Sequence, residues 1–158
     1  MNVTMTDIKK LREMTGAGLS DCKKALAESD DMDGAVAYLR KKGQAVAAKR
    51  SDREAAEGCV LVKVADGFGA IIALKCETDF VANNADFVAL TQQILDAAVA
   101  NKCKSLEEVN ALPMGDGTVA DAVTARSGIT GEKMELDGYS FIEGDNICTY
   151  NHMNRNGL

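Results

Sequence analysis

Val60-Leu61-Val62-Lys63-Val64-Ala65, then Asp66-Gly67-Phe68-Gly69, then Ala70-Ile71-Ile72-Ala73-Leu74, is the stretch from which the fold can be read. Val60, Val62 and Val64 alternate with Leu61, Lys63 and Ala65, which is the period of a strand. The glycine-containing residues that follow predict a β-hairpin turn. The return strand is apolar on both faces, which places it centrally in a covered sheet.

Downstream comes Lys75-Cys76-Glu77-Thr78-Asp79-Phe80-Val81-Ala82-Asn83-Asn84. Thr78 and Asp79 interrupt the apolar run, and Asn83-Asn84 disfavour both helix and strand. From Asp86 a long amphipathic helix is expected, with Phe87, Leu90, Ile94, Leu95 and Ala98 on one stripe. A short helix is expected over 105–111, ended by the only proline, Pro113. Another is expected over 118–126, with Thr118 as cap and Val119 and Val123 inward. The tail reads as strands over 133–136, 139–142 and 146–150, with Asp137-Gly138 and Glu143-Gly144-Asp145 as turns. Residues 151–158 turn polar and stop where another strand could begin. That would leave a sheet edge unpaired, so a truncated or naturally short form is expected.

Upstream, residues 6–43 predict three short helices. Ile8, Leu11 and Met14 recur at helical spacing after Thr6 or Asp7 as cap. Thr15-Gly16-Ala17-Gly18 breaks that helix. Ser20 or Asp21 caps a second, whose apolar stripe is Cys22, Ala25 and Leu26. Ser29-Asp30-Asp31 ends it and caps a third with Ala35, Val36 and Leu39, which closes on Arg40-Lys41-Lys42-Gly43. Residues 44–58 are small or alternately charged and read as a partly helical linker. The expected organisation is α+β: a three-helix bundle over 1–44, a linker over 45–58, and an antiparallel-sheet-plus-helices subdomain over 59–158.

Hydrophobic residues make up 46% of the 158 and charged residues 27%, so a packed core is within reach. The net charge of −6 argues against broad phosphate-backbone binding. The charge is uneven: residues 1–57 carry 11 basic and 10 acidic side chains, residues 58–158 carry 7 and 14. An acidic half is the composition of a solvated surface and also suits a basic protein partner. The five cysteines include no CxxC pair and there is one histidine, which fits reduced cytosolic thiols better than a zinc site or disulfide framework. Met1 to Leu11 has no apolar signal region, and no apolar run is long enough to span a bilayer.

Catalytic motifs are weak. His152 and Cys148 share a strand face but lie roughly 13 Å apart on an extended chain, too far for a nucleophile–base pair. Gly67-Phe68-Gly69 and Gly115-Asp116-Gly117 match neither dinucleotide nor P-loop fingerprints, so no nucleotide cofactor is expected. Phe80 beside Asp79 reads either as a buried hydrophobic anchor or as an exposed docking residue, and pattern alone leaves both open. Leu19, after a glycine-rich loop, reads either as an outward contact or as part of a plain helix-breaking turn.

Two segments carry a resemblance. One runs from Ile8-Lys9-Lys10-Leu11-Arg12 through Thr15-Gly16-Ala17-Gly18 to Asp21-Cys22-Lys23-Lys24-Ala25-Leu26. The other is Glu77-Thr78-Asp79-Phe80-Val81-Ala82 with the later Leu95-Asp96-Ala97-Ala98-Val99-Ala100. Together they resemble bacterial and organellar translation elongation factor Ts, strongly over 5–100 and in register over 118–158. The resemblance implies a bundle similar to a ubiquitin-associated (UBA-like) domain followed by an α+β core. It implies a cytoplasmic exchange factor, not an enzyme, that binds elongation factor Tu in its GDP form and releases the nucleotide. Carried over, Asp79 and Phe80 become the main contacts and Thr78 and Val81 shape their loop. Arg12, Leu19, Ser20 and Lys23 become bundle contacts, and His152 falls where the family uses a histidine. No metal, nucleic acid or membrane is implied.

This chain departs from the family pattern in places. Leu19-Ser20 stands where many members have Met-Met, and Asn83 where a basic residue is common. Longer members continue into a second core subdomain, and short ones act as homodimers. Two other readings are a UBA-like binding module without exchange activity and a thiol enzyme using Cys76 or Cys148.

Overall fold

The first helix, α1 (Met5–Thr15), buries Ile8 and Leu11 but leaves Met14 on the surface. In this computed structural model, which describes residues 3–15, 17–152 and 155–158, the cap of α1 is Thr4 rather than Thr6 or Asp7. The Thr4 hydroxyl accepts from the Asp7 N–H at 3.2 Å, and the Asp7 carboxylate accepts from the Thr4 N–H at 3.1 Å. This reciprocal pair satisfies two helix-end donors. Helix α1 ends at Thr15, within the expected Thr15-Gly16-Ala17-Gly18 break, of which Gly16 lies outside the described residues, as do Met153 and Asn154 of the polar tail.

Helix α2 (Leu19–Ala27) starts after Gly18, with no side chain capping it, and neither Ser20 nor Asp21 takes that role. Its stripe of Cys22, Ala25 and Leu26 is fully buried. Helix α3 (Met32–Lys49) is capped by Asp31, whose carboxylate accepts from the Gly34 N–H at 2.7 Å. The basic run and Gly43 do not end α3, which continues to Lys49. Gly43 costs about 1 kcal/mol in a helix, but the alanines at 45, 47 and 48 are the best helix formers and carry the turn onward. Ile8, Leu11, Cys22, Ala25, Leu26 and Ala35 form one small core.

Strands β1 (Glu57–Ala65) and β2 (Phe68–Cys76) pair antiparallel from Glu57–Cys76 to Ala65–Phe68. The turn is only Asp66-Gly67, both at positive φ (51° and 72°). That is the two-residue turn whose twist matches the strands. Phe68 is therefore a strand residue, not part of the turn, and it is buried. Next come α4 (Asp79–Ala82), α5 (Ala85–Ala100), α6 (Leu106–Ala111), the two-residue strands β3 (Pro113–Met114) and β4 (Gly117–Thr118), and α7 (Val119–Thr130). Asn84 caps α5, Ser105 caps α6, and Thr118 accepts from the Asp121 N–H ahead of α7.

Strand β5 (Glu135–Glu143) completes the sheet in the order β1-β2-β5, so β2 is central. Asp137-Gly138 is not a hairpin turn. Leu74 pairs with Leu136 and Ala73 with Gly138, leaving Asp137 as the extra residue of a bulge. The strand expected over 146–150 is absent. Instead β6 (Tyr150–His152) and β7 (Arg155–Gly157) pair as a separate hairpin. One sheet face, Phe68, Ala70, Ile72, Leu74 and Cys76, packs with the Phe87–Val99 stripe of α5 in the main core.

The chain divides into two compact units: residues up to Asp52 with Thr124–Glu132, and Arg53–Val123 with Lys133–Leu158. The division falls inside α7.

Candidate functional site

In the second unit, β2 leaves the sheet at Cys76 and turns within two residues into α4. Thr78 is the N-cap of that turn, its hydroxyl accepting from the Val81 N–H at 3.4 Å. The Asp79 carboxylate accepts from the Phe80 N–H at 2.9 Å, and the Asn83 amide donates to the Asp79 carbonyl at 2.8 Å. On the inner side, Val81 packs on the main core and Ala82 is buried. The Cys76 thiol donates to the Thr78 carbonyl at 3.3 Å.

That fixing on one side leaves Phe80 on the other. It is 86% exposed, whereas Phe68 and Phe87 are fully buried. On residue chemistry a buried anchor was the competing reading, and the geometry removes it. An outward Phe leaves undone roughly 1.5–3 kcal/mol of burial free energy. Asp79 is exposed beside it.

Glu77 immediately precedes this turn. Its Oε1 accepts from the Lys133 backbone N–H at 2.6 Å and from Arg53 Nη1 at 3.3 Å. The Lys133 ammonium donates in turn to the Arg53 carbonyl at 3.0 Å. Sequence reading passed over Glu77 because its partners lie 24 and 56 residues away. A lone carboxylate at the end of a buried strand was the only local signal.

In the first unit, Arg12 lies in the last turn of α1, and Leu19, Ser20 and Lys23 lie on the first turns of α2. All four are exposed, Leu19 by 47%. The loop before them is held by Thr15, whose hydroxyl donates to the Leu11 carbonyl at 2.7 Å and accepts from the Ala17 N–H at 3.3 Å. Asp21 is ion-paired with Lys42 of α3.

His152 is exposed in β6 and stacks with Tyr150 at 6.1 Å between ring centroids. Burial pushes the Cys22, Cys59 and Cys103 thiols above their ordinary pKa. Burial, with Cys103 and Glu108 nearby, pushes the Tyr139 hydroxyl up to about 12. Among the described residues no group of three or more His, Cys, Asp or Glu side chains is placed to hold a metal. Among them, too, no helix is long and apolar enough to cross a membrane.

These features define a class: an α+β protein with three N-terminal helices and a three-stranded antiparallel sheet, with an exposed phenylalanine ring on a strand-to-helix turn. Residues 77–158 match the family model described as elongation factor TS. The chain is 76% identical to elongation factor Ts of Bacteroides fragilis over 159 residues, which is 100% of this chain and 48% of that relative. It is 70% identical to elongation factor Ts of Phocaeicola vulgatus, again over 100% of this chain and 48% of the relative. To that of Porphyromonas gingivalis it is 60% identical, over 96% of this chain and 56% of the relative. The chain thus belongs to the elongation factor Ts family, a family of translation elongation factors. It spans about half the length of the curated relatives it matches.

Proposed function

We propose that this chain acts as a guanine-nucleotide exchange factor in the cytoplasm: it binds elongation factor Tu in its GDP form and promotes GDP release. The observation that carries the reading is Phe80, held outward on a turn whose other side is anchored in the core. Phe80 and Asp79 insert into the partner's nucleotide-binding domain, with Thr78 and Val81 fixing the turn. Arg12, Leu19, Ser20 and Lys23 of the first unit supply further contacts, and His152 a contact from the tail hairpin. The bundle over 1–44 and the core subdomain from 59 are the two working parts, and homodimerisation belongs to the same proposal.

Exchange of this kind uses no acid, base or nucleophile. It couples two ligands of one partner, so whatever factor weakens GDP binding also weakens factor binding in the presence of GDP. The test is release of labelled GDP from elongation factor Tu on addition of this chain. Acceleration by the parent chain and its loss in Phe80→Ala are expected. An unchanged release rate at saturating parent chain contradicts the reading.

A further inference from the structure

We propose that Glu77 is the positioning residue of the Phe80 turn, a role that rests on the exchange reading above for its function but not for its geometry. β2 pairs with β1 on one side and β5 on the other, and its last partners are Glu57 for Cys76 and Glu135 for Lys75. Beyond those rungs β2 departs into α4, so the flanking segments lose their ladder partner. Glu77 replaces it. A single carboxylate oxygen takes the Lys133 N–H on the β5 side and the Arg53 guanidinium on the β1 side. Lys133 Nζ closes the ring onto the Arg53 carbonyl and lies 3.9 Å from Glu135. Both hydrogen bonds to Glu77 are charge-assisted, the stronger class. The backbone leaving this clamp reaches the Thr78 cap in one residue and Phe80 in three, so the clamp sets the direction in which the ring points. Glu77 is largely covered and contributes through the turn, not by touching a partner.

A turn that samples other directions is competent to dock for only a fraction of the time, and apparent affinity falls by that fraction. Loosening the clamp should therefore raise the concentration needed for half-maximal GDP release, by roughly three- to tenfold if competence drops to between a third and a tenth. The maximal rate should stay, because the docked complex is the same. Phe80→Ala should instead lower the maximal rate.

The chain has no tryptophan, so Phe80→Trp supplies a single fluorophore on the turn. Time-resolved anisotropy of this variant reports the local motion of the side chain, with circular dichroism melting as the control on fold. Adding Glu77→Ala should lower the residual anisotropy while the fold persists. Glu77→Gln, which keeps an oxygen for the Lys133 N–H, should restore most of it. Unchanged anisotropy in the folded Glu77→Ala chain overturns the proposal, and so does loss of the fold, which would make Glu77 a stability residue. In GDP release, a lowered maximal rate with an unchanged half-saturating concentration also overturns it. If Phe80→Ala leaves release untouched, the exchange reading fails instead, and anisotropy alone judges the clamp.

Discussion

Phe80 and Phe87 are seven residues apart and make opposite uses of the same ring. Phe87 is enclosed by the main core, so Phe87→Ala should cost about 3–5 kcal/mol of stability. Phe80 reaches solvent, so Phe80→Ala should stay within about 0.5 kcal/mol of the parent. Urea denaturation of the two variants checks the contrast, and equal losses would make Phe80 a core residue. Gly138 is a second place where one atom decides. A Cβ there would sit 2.8 Å from the Cβ of Ala73, next to the bulge in β5. Gly138→Ala should lower stability by about 1–3 kcal/mol through overpacking, and adding Ala73→Gly should recover part of it.

Caps decide where helices begin, and one of them responds to pH. Hydrogen bonds from the Thr4 hydroxyl and then the Thr4 N–H hold the Asp7 carboxyl below its ordinary pKa. A lowered folded pKa stabilises the helix above the unfolded value, near about 3.9, and that contribution is lost as pH falls through the folded value. The amide protection factors of the first turn of α1, corrected for intrinsic exchange, should therefore fall on acidification below about pH 4, and Asp7→Asn should flatten that dependence. Much of the secondary structure was legible in sequence: the β1–β2 hairpin, the α5 stripe, the cap Thr118, and the segment Ser29-Asp30-Asp31 from which pairing picks Asp31 as the cap of α3. Asp137-Gly138 was misread because a turn dipeptide and a bulge dipeptide share composition, and only pairing with β2 separates them. α3 overran Gly43 because a stop signal loses to the three alanines at 45, 47 and 48 that follow it. The Phe80 turn was located by its break in the apolar pattern, whereas the ring's exposure depends on the half-buried Val81 and the buried Ala82 opposite it.

For the whole chain, the thiols offer a test against a reactive-cysteine chemistry. Cys22, Cys76 and Cys103 are buried and Cys148 is exposed. A thiol reagent near neutral pH should label Cys148 first, by peptide mass analysis, and leave GDP release intact. Loss of activity on that single modification would favour the thiol reading. Energetics bound what one ring can do. Burying Phe80 supplies roughly 1.5–3 kcal/mol, about ten- to a hundredfold in affinity. Moving a partner's equilibrium by about 10⁴ takes around 5.5 kcal/mol, so the proposed exchange needs contacts besides Phe80, and Arg12, Leu19, Ser20 and Lys23 are the ones proposed above. The coupling itself can be measured as the affinity of this chain for elongation factor Tu with and without saturating GDP, for the parent and for Phe80→Ala. GDP should weaken binding of the parent, and the ratio of the two affinities should shrink by about ten- to a hundredfold in Phe80→Ala. The same ratio in both chains, with Phe80→Ala still folded, would contradict Phe80 as the element that opposes GDP.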